Sequence, residues 1–270
     1  MLRSLWTAAS GMTSQQMNVD TISNNLANIN TTGYKKESAE FKTLLYQTIQ
    51  DQSYDNNGNP KPSGIQVGLG VRNSAITSNY SQGTLLETGN ALDLAIDGNG
   101  FFMVRTADGG VAYTRNGAFQ LANTDAGFVL ANSDGNPVLD INHEMIIIDG
   151  AYKSSDISID EYGYLLYPDD TGNPQSLDIQ IGLTQFNNPS GLEKLSSSLL
   201  KETEASGAAR LEAADPSLSR SRIRSKYLEG SNVQAVDEMV NLIVSQRAYE
   251  MNSKIITAAD EMLQQANNLR

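Results

Sequence analysis

The series Val233, Val236, Val240, Val244, Ala248, Met251, Ile255, Ala258, Met262, Ala266 and Leu269 places a small or apolar residue about every 3.6 positions, the period of an α-helix. It predicts one uninterrupted C-terminal helix. Ser231 and Gln234 stand in the S-x-x-Q spacing of a capping box directly after Gly230, so the helix is expected to start there. The other end of the chain carries a matching stripe. Leu2, Leu5, Met12, Val19, Ile22, Leu26 and Ile29 recur at helical spacing, with Ala9 and Gln16 at the missing steps. Gly33, after Thr31 and Thr32, supplies the expected left-handed stop. At ~1.5 Å per residue each helix would run roughly 45–55 Å. Two such helices are expected to lie side by side and to bring the two termini together.

The middle of the chain has another period. Leu92, Leu94 and Ile96 alternate with Asp93, Ala95 and Asp97, the pattern of a half-buried strand. Turn dipeptides follow at Asp97-Gly98, Asp108-Gly109, Asn116-Gly117, Asp134-Gly135 and Asp149-Gly150, separated by short β-prone runs such as FFMV, VAYT and MIII. These predict an antiparallel, many-stranded domain joined by tight turns. The expected fold is therefore α+β: long terminal helices packed side by side, coiled-coil-like, a central antiparallel β domain, and an extended arm. The expected segments are 1–45 for the N-terminal helix and its cap, and 46–72 for the arm. A linker with return strands at 73–90, the β domain at 91–185, a return linker at 186–230 and the C-terminal helix at 231–270 complete the chain.

Composition removes several chemistries. The absence of cysteine leaves no disulfide, thiolate metal site or cysteine nucleophile, and the single histidine, His143, cannot make a His-rich metal centre. A formal net charge of −12 argues against a general nucleic-acid binder. No run approaches ~20 apolar residues, so no transmembrane helix is expected. MLRSLWTAASGM lacks the apolar core of a cleaved leader, so export would need a route that uses none. Ser198 to Lys201 fits S-x-x-K without the companion motifs of that chemistry. DGNGFF at 97–102 reads as a hairpin turn, not a calcium loop. No catalytic residue, metal ligand or cofactor is expected. Arg220, Arg222, Arg224 and Lys226 alternate with smaller residues, which suits either a charge-protected sheet edge or a contact for an acidic neighbour.

A helix ending in Asn24, Asn25 and Asn28 needs a reason, since Asn is a poor helix former. One partner helix covers only one face, and that does not offset the entropy of ordering so long a segment. The terminal pair is therefore expected to become fully ordered only when neighbouring copies surround it. Uncharged amides at helical neighbour spacing, each able to donate and accept, suit contacts between identical subunits. Contacts of that head-to-tail kind, if they do not close a ring, build a helical filament or tube.

LRSLWTAASGM at 2–12, NNLANINTTGYKK at 24–36 and SNVQAVDEMVNLIVSQRAYEMNSKIITAADEMLQ at 231–264 closely resemble the bacterial flagellar rod and hook family. NALDLAIDGNGFFMV at 90–104 and AYTRNGAF at 112–119 resemble its β domain. The segment at 46–72 is most similar to the distal-rod branch, with proximal rod or hook members as the alternative. The resemblance implies a structural subunit that stacks helically into a hollow drive shaft and passes torque from motor to hook. It also implies export through the flagellar secretion apparatus without a cleaved signal. The implied location is the basal body, where the rod crosses the periplasm and cell wall. The implied partners are further copies of the chain, proximal rod proteins, hook protein and, where an outer membrane is present, the P- and L-ring bushings. Subunit packing would fall to Leu2, Leu5, Met12, Val19, Ile22, Asn24, Asn25, Leu26, Asn28 and Ile29, and to Val233, Val236, Val240, Val244, Met251, Ile255, Met262 and Leu269. Tyr46, Ile65, Val67, Leu69 and Val71 would anchor a rod-stiffening arm, the last four along one extended face. Gln264, Gln265, Asn267 and Asn268 would offer a polar channel lining. Against these stand two other classes: a cell-wall hydrolase, for which no catalytic constellation is visible, and a monomeric surface-binding protein, which sedimentation separates from a polymer-former.

Overall fold

The computed structural model describes residues 2–50, 64–124, 127–148, 157–168, 173–196 and 198–268. The architecture is α+β, with one long helix at each end of the chain and a β-rich region between. The chain divides into two units, one formed by Met1–Ala27, Glu37–Ser78 and Gln234–Arg270, the other by Asn28–Lys36 and Asn79–Val233.

The first unit holds helix α1, Leu2–Ala27, and helix α2, Ala235–Asn268. Neither is long and apolar enough to cross a membrane. Two antiparallel strand pairs complete it: Glu37–Thr43 with Val71–Ser78, and Tyr46–Gln50 with Ile65–Gly68. α1 stops sooner than its apolar stripe suggests, because residues 28–30 form a turn and not a further helical one. Gly33 is left-handed as expected, at φ 70°, but as part of a turn in the second unit, six residues beyond the helix. α2 starts later than the capping-box spacing suggests. The Ser231 hydroxyl accepts the Val233 N–H, and the first helical bond runs from the Glu238 N–H to the Gln234 carbonyl. Asp237 and Glu238 occupy the first turn, where negative charge suits the helix dipole.

The second unit is antiparallel throughout. Its main sheet has six strands in the order Glu193–Lys194, Leu199–Lys201, Val111–Thr114, Phe101–Arg105, Leu183–Gln185 and Arg210–Leu211. Among the described residues, two three-stranded sheets and two two-stranded ones complete this unit. FFMV and VAYT form a hairpin, closed by an Asp108-Gly109 turn in which the Gly109 N–H donates to the Thr106 carbonyl. The core has two parts. One gathers Leu94, Ile96, Phe102, Val104, Phe119, Leu130 and their neighbours, the other Phe101, Met103, Tyr113, Leu139 and Phe186. The alternation along FFMVR explains the split: Phe102 and Val104 face one cluster, Phe101 and Met103 the other. The Asp149-Gly150 turn expected from the sequence lies outside the described residues.

Candidate assembly surface and a buried ionic anchor

In the helical unit the two helices meet in a register that repeats. The Asn25 amide donates to the Glu238 carboxylate at 3.0 Å and the Asn18 amide to the Ser245 hydroxyl at 2.8 Å. Gly11 lies so close to Asn252 that a Cβ on it would sit 2.9 Å from the amide nitrogen. Each step advances seven residues along α2 and retreats seven along α1, so the helices run antiparallel. The buried residues of the two helices are mostly small or polar: Ala8, Ser14, Thr21 and Asn25 on α1, with Ile22 the larger apolar one, and Glu238, Ser245 and Ala259 on α2. Asn25 is fully enclosed. It accepts the Glu37 N–H and returns its own amide to the Glu37 carbonyl, both at 2.8 Å, bridging helix to strand as a neighbouring strand would.

The apolar stripe of α2 is left on the outside. Val236 is 73% exposed, Val240 53%, Val244 62%, Met251 60%, Ile255 47% and Met262 50%, with Met239 and Ile243 beside them. The stripe that most marks this segment as a helix is thus turned away from α1. Trp6 on α1, the sole tryptophan, is 76% exposed as well. Covering side chains of this size gains on the order of 1 kcal/mol or more each.

The other residues singled out from sequence fall as follows. Leu5, Met12, Val19 and Leu26 are half-buried, Ile22 is buried and Asn24 is exposed, all on α1. Leu2 begins that helix, and its side chain lies outside the described residues, as does Leu269. Asn28 and Ile29, both half-buried, belong to the β-rich unit, as does the buried Val233. Asn28 accepts the Thr31 hydroxyl there. The amide of Asn25 is satisfied within its own chain, so it does not face a second subunit as its spacing with Asn24 and Asn28 suggested. Tyr46, Ile65 and Leu69 are exposed, Val67 and Val71 half-buried. The single extended face expected from Ile65 to Val71 is broken at Gly70. Its φ of 111° turns the chain, and Val71 starts a strand with a different partner. Residues 51–63 of the arm lie outside the described residues. Gln264, Gln265, Asn267 and Asn268 are exposed on the last turns of α2. Arg220, Arg222, Arg224 and Lys226 all point outward, and within the β-rich unit Arg224 meets Asp97 at 3.2 Å and Arg222 meets Glu161 at 3.7 Å. Two of these cations therefore find acidic neighbours in their own chain.

The β-rich unit contains an arrangement that sequence reading missed. Glu229, 1% exposed, accepts the Lys35 ammonium at 2.6 Å on one oxygen and the Arg115 guanidinium at 3.2 Å on the other. The Gly83 N–H also donates to this carboxylate, and the Gly33 N–H to the Glu229 carbonyl. Lys35 donates further to the Ser81 carbonyl, and Arg115 to the Gly98 carbonyl while lying over the Phe101 ring. Burial pulls the Lys35 ammonium below the usual lysine range, against the opposing pull of Glu229. Burial likewise lowers Arg115, with Glu229 opposing. Gly33 is required here. At φ 70° a side chain is strained, and a Cβ would sit 2.7 Å from the Asn116 backbone nitrogen. Lys35 and Glu229 lie 194 positions apart, so no periodicity connects them. The only available signal was their location, just after the first helix and just before the second.

Comparison with known proteins adds three family matches. Residues 5–35 match the flagella basal body rod protein family, 95–167 the flagellar hook protein FlgE/F/G D1 domain, and 224–269 the flagellar basal body rod FlgEFG protein C-terminal family. The flagellar basal-body rod protein FlgG of Borreliella burgdorferi is 44% identical over 271 residues, covering 100% of this chain and 99% of its own. The chain belongs to the FlgG family of flagellar basal-body rod proteins. Members from Agrobacterium fabrum, 44% identical with 97% of each chain covered, and Bacillus subtilis, 40% identical with 100% of each covered, agree over the full length. All three family matches overlap the elements built above, the D1 match containing the FFMV–VAYT hairpin and Arg115. Of the other two, the match at 5–35 spans most of α1 and the turn through Gly33 to Lys35, and the match at 224–269 contains Glu229 and α2.

Proposed function

We propose that this FlgG-family chain is a structural subunit of the flagellar distal rod, polymerising helically with copies of itself into a hollow, torque-bearing shaft. The observation that carries the reading is the uncovered apolar face of α2, opposite a polar intramolecular seam. A monomer that used this helix only to fold would turn the apolar side inward. The α1–α2 pair acts as a short antiparallel coiled coil, a reading supported by its seven-residue contact step. Its inner side is mostly small and polar, and its outer stripe waits for a neighbour. Neighbouring copies contribute their own helices to cover Val236, Val240, Val244, Met251, Ile255 and Met262. The Tyr46–Gln50 and Ile65–Gly68 hairpin, with exposed Tyr46, Ile65 and Leu69, serves as the stiffening arm against an adjacent subunit. The uncharged end of α2, from Gln264 to Asn268, faces the channel. Proximal rod proteins, hook protein, the bushing rings and the export apparatus complete the set of partners, at the basal body.

The test uses purified full-length protein and its double variant V244K/M251K. Both sites are exposed in the single chain, so the variant is expected to match the parent in circular dichroism and unfolding midpoint. The parent is expected to sediment as tubes at high concentration and the variant as a monomer. Equal assembly by the two would overturn the reading.

A further inference from the structure

The β-rich unit is entered and left by the polypeptide four times, at Asn28, Lys36, Asn79 and Val233. Within that unit, one side chain ties three of these ends together. The Asn232 carbonyl oxygen accepts the Lys36 N–H at 2.7 Å. Its amide nitrogen donates to the Asn79 carbonyl at 2.9 Å, and to the Ser81 carbonyl and hydroxyl at 3.1 and 2.9 Å. Lys36 and Asn79 are joined directly as well, the Asn79 N–H donating to the Lys36 carbonyl at 2.8 Å. The fourth end is held from the same side. Asn28 leads through its turn to Gly33, whose N–H binds the Glu229 carbonyl, while Lys35 closes on the Glu229 carboxylate. Ser81, bound by both Lys35 and Asn232, joins the two sets of contacts.

We propose that Asn232 and the Lys35–Glu229 pair form a clasp that makes the four connections of the β-rich unit bear load as a single attachment. Four separate tethers let a domain rock, because each is a chain with two soft dihedrals per residue. Cross-linking them at their roots removes that freedom without adding any contact elsewhere. An Asn suits the central position because its side chain accepts from one strand end and donates to another at once. Asp accepts only, and Ala does neither. Asn232 is a positioning residue in this arrangement. Its importance to torque rests on the rod role proposed above, but the clasp itself is tested in the free subunit.

Amide hydrogen exchange on the parent, N232A and N232D distinguishes the clasp from a general loss of stability. In the parent, Lys36 and Asn79 are expected to exchange slowly. In N232A both are expected to speed up at least tenfold, while Phe102 and Val104 in the core stay unchanged. In N232D the remaining acceptor is expected to keep the Lys36 N–H protected. Unchanged exchange at Lys36 and Asn79 in N232A overturns the clasp, and so does a matching acceleration at Phe102 and Val104. In assembled material, N232A is expected to form tubes of normal length whose persistence length is severalfold shorter. Tubes as stiff as the parent's refute the load-bearing role, whereas failure of the parent to form tubes refutes the rod reading alone.

Discussion

Glu229→Gln should be far more damaging than Lys35→Met, although both break the same 2.6 Å ion pair. The reason lies in the stoichiometry around the carboxylate. One buried anion serves two buried cations, and the other acid acting on Arg115, Glu212, is itself engaged by Ser221 and Gln185. Removing the Glu229 charge leaves an ammonium and a guanidinium enclosed with no direct counter-ion, a cost of about 3–5 kcal/mol. Removing the ammonium leaves Glu229 and Arg115 as a one-to-one pair and loses hydrogen bonds to charged groups worth about 1–3 kcal/mol. For a unit of this size each kcal/mol lowers the melting temperature by about 2–4 °C. Glu229→Gln is therefore expected to melt roughly 10 °C below the parent and Lys35→Met only a few degrees below. The assay is thermal and urea unfolding of the monomer, followed by circular dichroism in the β region. A pH series adds a second check. The Lys35 pKa is depressed in the folded state, so below its ordinary value the unfolded chain binds the extra proton. This group's contribution makes stability rise as pH climbs toward that ordinary value. The stability of the parent relative to Lys35→Met should therefore increase as pH climbs toward the ordinary lysine value of about 10.4. Equal losses in the two variants, or a larger loss for Lys35→Met, would refute the charge accounting.

Tyr113, buried beside Phe186 and hydrogen-bonded to Glu202, has its phenol pushed up to about 12, by burial first and then by that carboxylate. A spectrophotometric titration should show a late-ionising tyrosine that Tyr113→Phe removes; the stabilisation from this group is complete below about pH 10 and is lost as pH passes upward through 12. Gly33→Ala combines a left-handed backbone with a backbone clash and should cost about 2–4 kcal/mol, read as a shift in the urea midpoint of the β-rich unit. Asn25→Ala removes its hydrogen bonds to the Glu37 N–H and carbonyl and to Glu238, and should cost about 2–4 kcal/mol in the helical unit. Asn24→Ala, on the exposed face of the same helix, should stay within about 0.5 kcal/mol. Similar losses at the two asparagines would show that Asn25 does not bridge helix and strand.

Periodicity alone determined that the ends of this chain are helices and its middle a set of turn-linked strands. Those patterns are local: 3.6 residues for a helix and two for a strand follow from backbone geometry whatever the rest of the molecule does. The FFMV–VAYT hairpin was legible for the same reason, since its turn residues sit between two short β-prone runs. Which face of a helix meets what was not legible. The apolar stripe of α2 announced a helix, and the natural inference placed it against α1. Instead the seam uses Asn18, Asn25, Glu238, Ser245 and Asn252, residues that look like a solvated face when read one chain segment at a time. Only pairing the helices at a seven-residue step joins Asn25 to Glu238, 213 positions away, and that pairing leaves the valines and methionines of the α2 stripe exposed. The Glu229 anchor was hidden by the same limitation. A lysine in NTTGYKK and an arginine in AYTRNGAF are ordinary surface residues until the fold encloses them around one carboxylate. Sequence fixes the period of an element because neighbours along the chain set it. Partners across the fold depend on how separate segments converge, and the tertiary structure alone decided those.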